Sequence, residues 1–148
     1  MTSVLDTCRR AAAVKHEIGA LGTKEKNRVL LTIADALQAH RADIKAANAL
    51  DIEAGRKNGL NEGLIDRLTL GDDRIDGVAE GCRQVAALPD PVGEVTEMKV
   101  TPGGLKIGKK RVPMGVIGII YESRPNVTVD AAALCFKAGS ACVLRGGK

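Results

Sequence analysis

"GVIGIIYESRPNVTVDAAALCFKAGSACVLRGGK", Gly115 to Lys148, decides the fold. It opens on a continuous apolar run, Gly115 to Tyr121, of the length and composition of a strand buried on both faces of a parallel sheet. Helical spacing follows through Val129, Ala132, Ala133 and Phe136 and stops at Gly139, the residue type best suited to a left-handed helix end. "SACVLRGGK" then resumes as a short apolar strand. Two such strands joined by one helix make a βαβ unit, and the crossover fixes them as parallel. Ligands on sheets of this kind gather beyond the C-terminal ends of the strands. There the stretch "YESRPNVTVD", Tyr121 to Asp130, concentrates Glu122, Ser123, Arg124 and Asn126, a density too polar for a simple connector. The dinucleotide fingerprint G-x-G-x-x-G is absent, because Gly115 and Gly118 lie within the strand and not in a turn after it.

Upstream, the first half of the chain has helical periodicity. Val4, Cys8, Ala11, Val14, Ile18 and Leu21 step by three and four, and Ser3 with Asp6 supplies an S-x-x-D start. The pattern continues through Leu30, Ile33, Leu37, Ile44 and Ala47 as a second long helix or a broken pair, with Thr23 as N-cap and Gly59 as stop. Ile75, Val78, Cys82 and Val85 hold the same period until Pro89 and Pro91 end it. The charges along these segments read as solvated helix faces. "PVGEVTEMKVTPGGLKIGKKRVP" has two short β-forming runs around Thr101 to Gly104, a hairpin with a Pro-Gly turn. Glu94 and Glu97 on one arm can face Lys106, Lys109, Lys110 and Arg111 on the other, although imperfect apolar alternation leaves the register open. Within it Gly103 to Lys109 matches G-x-x-x-x-G-K. A phosphate-cradling loop needs Ser or Thr next and then a helix; Lys110 and more strand follow instead.

Composition bounds the class. The chain has 148 residues, 45% hydrophobic and 27% charged, which suits one soluble globular domain with a sizeable core. Aromatic residues make up only 1%, so the core is built from Ala, Val, Leu and Ile, and the stacking platforms of single-stranded nucleic-acid binders are missing. A net charge of +4 permits an anionic partner, from a nucleotide to nucleic acid or a membrane surface, without choosing among them, and the lack of aromatics is what argues against nucleic acid. No apolar run approaches the roughly 18 residues of a membrane span, and the N-terminus lacks a signal-peptide pattern, so a cytoplasmic protein is expected. Cys8, Cys82, Cys135 and Cys142 sit at wide spacings inside apolar segments, with only His16 and His40 as metal partners. Buried reduced thiols are expected, with neither metal nor disulfide.

"RVPMGVIGIIYESRPNVTVDAAALCFKAGSACVLRGGK", Arg111 to Lys148, closely resembles the gamma-glutamyl phosphate reductase family, proline-biosynthesis members of the aldehyde dehydrogenase superfamily. The likeness extends through "KEKNRVLLTIADAL", "NEGLIDRLTL" and "QVAALPDPVGEV", so it covers nearly the whole chain. It implies an α/β fold: N-terminal helices over 1–90, a β-hairpin arm over 91–113, and over 114–148 the first βαβ unit of a Rossmann-type cofactor domain that lacks the glycine fingerprint. It also implies an oxidoreductase of amino-acid biosynthesis, the NADPH-dependent reduction of L-glutamyl 5-phosphate to L-glutamate 5-semialdehyde and phosphate. A homo-oligomer of the full-length protein, held through the hairpin arm, is implied as well, with possible association with glutamate 5-kinase.

In that family a cysteine thiolate attacks the acyl phosphate, phosphate leaves, and hydride is delivered to the resulting thioester. Members continue past the position of Lys148 and carry the nucleophile there, so the chain reads as an N-terminal portion without the catalytic domain and inactive alone. The alternative is a non-catalytic nucleotide- or partner-binding module. The resemblance assigns an oxyanion-holding Asn to the loop after the first strand, for which Asn126 is the candidate, but this loop is shorter than the superfamily's and Arg124 can occupy the place instead. Asn126 can equally cap a helix opening at Val127. Ser123 and Arg124 are candidates for the substrate's phosphate or carboxylate, against a plain salt bridge from Arg124 to Glu122. A basic residue after the second strand, Arg145 with Gly146, Gly147 and Lys148, suits the 2′-phosphate of NADPH.

Overall fold

The computed structural model describes residues 3–122 and 124–146. Five helices come first: α1 (Val4–Ala20), α2 (Thr23–Ala39), α3 (Arg41–Lys57), α4 (Glu62–Leu68) and α5 (Asp72–Ala87). A hairpin, β1 (Val95–Val100) and β2 (Lys106–Lys110), leads to β3 (Val116–Ile120), α6 (Pro125–Lys137) and β4 (Ala141–Arg145). The expected α/β class and the βαβ unit are both present.

Local chemistry sets most boundaries. Ser3 Oγ accepts the Asp6 N–H at 3.1 Å and starts α1. At α2 the cap is Gly22 and not Thr23: having no side chain, Gly22 supplies only its N–H, which donates to Glu25 at 3.2 Å, while Thr23 opens the helix and turns its hydroxyl to Asp90. The break between α2 and α3 falls at His40, and α3 ends before Gly59, whose φ of 76° carries the chain into a left-handed turn. α6 ends the same way before Gly139 at φ 69°.

The core is helical. Leu30 and Ala34 of α2 pack on Ala79, Cys82 and Ala86 of α5 and on Ala133 of α6, with Ile33, Leu37, Val85, Val129 and Phe136 at its margins. Alanines let the three helices approach closely, and burial of Leu30 alone stabilises the fold by about 1.5–3 kcal/mol. A second cluster joins α3 to α4, where a Cβ on Gly55 would lie 3.0 Å from Leu60 and 3.2 Å from Ile65. The apolar stripe of α1 is only partly used: Ile18 and Leu21 are half-buried, whereas Val4, Cys8 and Val14 are exposed.

Not every charge on these helices is solvated, contrary to the sequence reading. Lys26 is wholly buried and Lys137 nearly so. Lys26 Nζ donates to both oxygens of Asp90 at 3.0 Å, and Asp90 also accepts from the Thr23 hydroxyl and the Val92 N–H, each at 3.0 Å. Lys137 Nζ donates to Asn27 Oδ1 at 2.6 Å and to the Ala86 carbonyl at 2.9 Å. These groups join α2, the segment after α5, and α6. Burial alone would raise the Asp90 carboxyl, but its bonds from Lys26, Val92 and Thr23 together hold it below the ordinary carboxylate value. Burial pushes the Lys137 ammonium down, opposed by Asp90.

β1 and β2 pair antiparallel around the Thr101–Gly104 turn, with Glu97 opposite Lys109 at 2.8 Å and Arg111 reaching Glu94 at 3.2 Å, the cross-strand charge pairing expected. The register left open by the sequence runs from Glu97 opposite Lys109 to Val100 opposite Lys106, with an irregularity between Val95 and Glu97. β3 and β4 pair in parallel from Val116 with Ala141 to Ile120 with Arg145. β3 is not buried on both faces: Ile117 and Ile119 are half-buried, while Val116, Gly118 and Ile120 are exposed. α6 and α1 both pack against β4, and no described element covers that outer row of β3. No helix among the described residues is long and apolar enough to cross a membrane.

Candidate functional site

Beyond Ile120 the chain leaves the sheet with one more rung, the Tyr121 N–H to the Arg145 carbonyl at 3.1 Å. The Arg124 N–H then bonds back to the Glu122 carbonyl at 2.7 Å, a tight reversal, and Arg124 is held extended, as the residue before a proline must be. Pro125 begins α6, where its fixed φ is already helical and its missing N–H costs nothing. The Tyr121 and Thr128 hydroxyls meet at 2.5 Å and tie the strand end to the first turns of the helix.

Arg124 stands between two open clefts. One, of about 460 Å³, lies between the first turn of α6 and the α4–α5 connection and is lined by Arg67, Arg74, Arg124, Asn126 and Asp130. The other, of about 380 Å³, lies toward α3 and is lined by Asp51, Asn58, Tyr121, Arg124 and Gly146. Both sit where the C-terminal ends of the parallel strands deliver the chain, the position that open α/β sheets reserve for ligands.

The walls of the first cleft are fixed from behind. Asn48 of α3 is buried; its amide donates to the Leu68 carbonyl at 2.9 Å and its oxygen accepts the Leu70 N–H at 2.7 Å, which holds the segment after α4. Arg74 is committed to the same segment, donating to the Thr69 carbonyl at 2.8 Å, the Asp66 carboxylate at 2.9 Å and the Asp66 carbonyl. Arg67 and Arg124 are different. Both are exposed, and among the described residues neither takes part in an ion pair. The salt bridge from Arg124 to Glu122 that the sequence allowed is not formed.

Asn126 does not cap the helix. Because Pro125 opens α6 ahead of Val127, Asn126 falls inside the first turn and donates Nδ2–H to Asp130 Oδ2 at 3.2 Å, one turn on. Arg145 ends β4 with an exposed side chain that lines neither cleft, while the adjacent Gly146 faces the Tyr121 ring in the second. Ser123, Gly147 and Lys148 lie outside the described residues. Arg124 and Asn126 are thus brought together in one cleft, and Arg124 and Gly146 in the other. Arg67, Asp130 and Asn48 were missed by the sequence reading; Arg67 and Asp130 each occupy a helix face at ordinary spacing, with no local pattern to mark them.

The cysteines are free, and none lines either cleft. Cys82 and Cys135 are buried as expected, but Cys142 is half-buried and Cys8 is exposed, because the N-terminal half of α1 packs on nothing described. Burial pushes the Cys82, Cys135 and Cys142 thiols up, away from the thiolate form. Among the described residues no group of three or more side chains has the arrangement of a metal site.

No family model matches the sequence. Solved structures do. Gamma-glutamyl phosphate reductase from Thermotoga maritima matches 97% of this chain with a TM-score of 0.92 and 44% identity. The enzyme of that name from Saccharomyces cerevisiae matches all of it with a TM-score of 0.91 and 32% identity. The chain spans 34% of the first and 38% of the second. With the expected fold present and 44% of the aligned residues identical to the first of these, the chain matches, over nearly its whole length, about a third of a gamma-glutamyl phosphate reductase.

Proposed function

We propose that this chain forms the loop and cofactor edge of an NADPH-dependent gamma-glutamyl phosphate reductase, which converts L-glutamyl 5-phosphate to L-glutamate 5-semialdehyde and phosphate. The observation that carries the reading is the place of Arg124: without an ion pair among the described residues, between two clefts, at the C-terminal ends of two parallel strands. A guanidinium there offers a bidentate fork to the phosphate or carboxylate of the substrate. Asn126 spends one of its two amide hydrogens on Asp130, which orients the group and leaves the second for an oxyanion.

The cofactor side fits a dinucleotide at the strand ends. Gly146 presents backbone without a side chain to the second cleft, and Arg145, exposed beside it, suits a 2′-phosphate. NADPH, when bound, supplies the hydride. Ser123 would share substrate contact with Arg124, and Gly147 and Lys148 would extend the cofactor edge. With none of the four thiols in either cleft, the chain's own residues bind and orient without supplying a nucleophile, so the chain by itself would not turn over. On one face the hairpin exposes Val95, Met98 and Val100, a surface suited to contacts between copies in a homo-oligomer.

The test is the intact mass of the polypeptide produced from its native locus, followed by an assay of that polypeptide with semialdehyde, phosphate and NADP. Asn126→Ala is expected to lower kcat by about a hundredfold. Arg145→Ala is expected to raise the KM for NADP by about tenfold and to leave that for NAD unchanged. Equal loss with both cofactors would refute the 2′-phosphate assignment, and full activity of Asn126→Ala would refute its oxyanion role.

A further inference from the structure

The first cleft holds more than an anion site. Its two uncommitted guanidiniums, Arg67 from α4 and Arg124 from the loop, come from segments far apart in sequence, and the third, Arg74, is occupied by the carbonyls and carboxylate at the end of α4. Opposite in charge, Asp130 lines the same cleft. Its Oδ2 accepts from Asn126, and its Oδ1 accepts no hydrogen bond among the described residues. Two guanidiniums without an ion pair and one carboxylate oxygen without a hydrogen bond among the described residues, in a cleft of about 460 Å³, match the charge distribution of an α-amino acid that carries a second acidic group. Simple phosphate would leave Asp130 as a repulsive neighbour.

We infer that Arg67 and Asp130 are binding residues for the amino-acid end of the ligand: Arg67, with Arg124, takes a carboxylate and Asp130 Oδ1 takes the α-ammonium. This rests on the reading of the cleft as the glutamyl site, and it adds two specificity residues to it. A carboxylate on the arginines and an ammonium on the aspartate fix the amino acid by two opposite charges, and a third contact, the acyl end at Asn126, is what would read its handedness. The acyl end is then directed toward Asn126.

The test is calorimetric titration of the 148-residue chain with three probes: L-glutamate, glutarate, which lacks the ammonium, and inorganic phosphate. L-Glutamate is expected to bind saturably and glutarate about tenfold more weakly. Arg67→Ala should weaken L-glutamate about tenfold or more, and Asp130→Asn should weaken L-glutamate while leaving glutarate unchanged. Arg67 is exposed, so its variant should melt with the wild type. Unchanged L-glutamate affinity in either variant, phosphate binding as tight as that of L-glutamate, or no saturable binding to the wild type would overturn the inference. The outcomes separate it from the reading beneath it. L-Glutamate binding that depends on Arg67, in a native polypeptide that never oxidises the semialdehyde, would defeat the reductase reading alone. Turnover that is indifferent to Arg67→Ala would defeat the inference alone.

Discussion

Replacing Asp90 by alanine should be among the most damaging single changes in the chain. Lys26 has no exposed side-chain surface and Asp90 only 11%, so water cannot take over the ammonium when its partner is removed. Breaking a buried pair from one side typically costs about 3–5 kcal/mol, far above the 0.2–1 kcal/mol of an exposed pair. Against a total stability of about 5–15 kcal/mol this is a large share, and at about 2–4 °C per kcal/mol it corresponds to a fall in Tm on the order of 10 °C. Urea denaturation followed by circular dichroism measures it directly. The double variant Lys26→Met, Asp90→Ala should recover most of the loss, because no charge is then left buried alone. A cost for Asp90→Ala below about 1 kcal/mol, or a double variant no better than the single, would show that the pair is screened and refute the reasoning. The pH dependence has a definite sign. The Asp90 carboxyl is held below its ordinary value, so its contribution is fully present above the unfolded value of about 3.9 and is lost as pH falls through the depressed folded value.

Three further outcomes can be checked with the same instruments. Asn48→Ala leaves the Leu68 carbonyl and the Leu70 N–H without their partner and should cost about 2–4 kcal/mol, with faster amide exchange at Leu70 as the local signature. Gly139→Ala combines a positive φ with a Cβ 3.1 Å from both Pro113 and Val92 and should cost more than Gly104→Ala, where φ is also positive but the space is open; the strain alone is about 1–3 kcal/mol. Bonds from Lys45 and Arg41 hold Asp72 below the usual carboxylate value, and Arg41 does the same for Asp76. Arg41→Gln should therefore lower Tm at neutral pH, with the gap to wild type closing as pH falls below about 4.

What could be seen in the sequence was whatever a few neighbouring residues decide. The Thr101–Gly104 turn, the stops at Gly59 and Gly139 and the Ser3 cap each depend on local backbone chemistry, and each stands where it was expected. Misplaced features depend on distant partners. Lys26 occupies a helix position like any surface lysine; only Asp90, 64 residues on, makes its burial possible. The exposed row of β3 looks like a doubly covered strand because its residues are apolar on both sides, and composition cannot say what lies above them. In the site, Arg124 and Asn126 were visible because the loop is anomalously polar. Arg67 and Asp130 were not, because they join it only through the packing of α4, α5 and α6.

The link from Lys137 to Asn27 also sets an order of events during synthesis. It spans 110 residues, so at about 5–20 residues per second α2 waits on the order of ten seconds after leaving the ribosome before α6 can reach it. Through that interval the α2 and α5 pair lacks Ala133 and Phe136, and its apolar surface is open to any chaperone that binds nascent chains. The helix that closes the core also carries Asn126 and Asp130. The first cleft is therefore completed in the same step that closes this helical core.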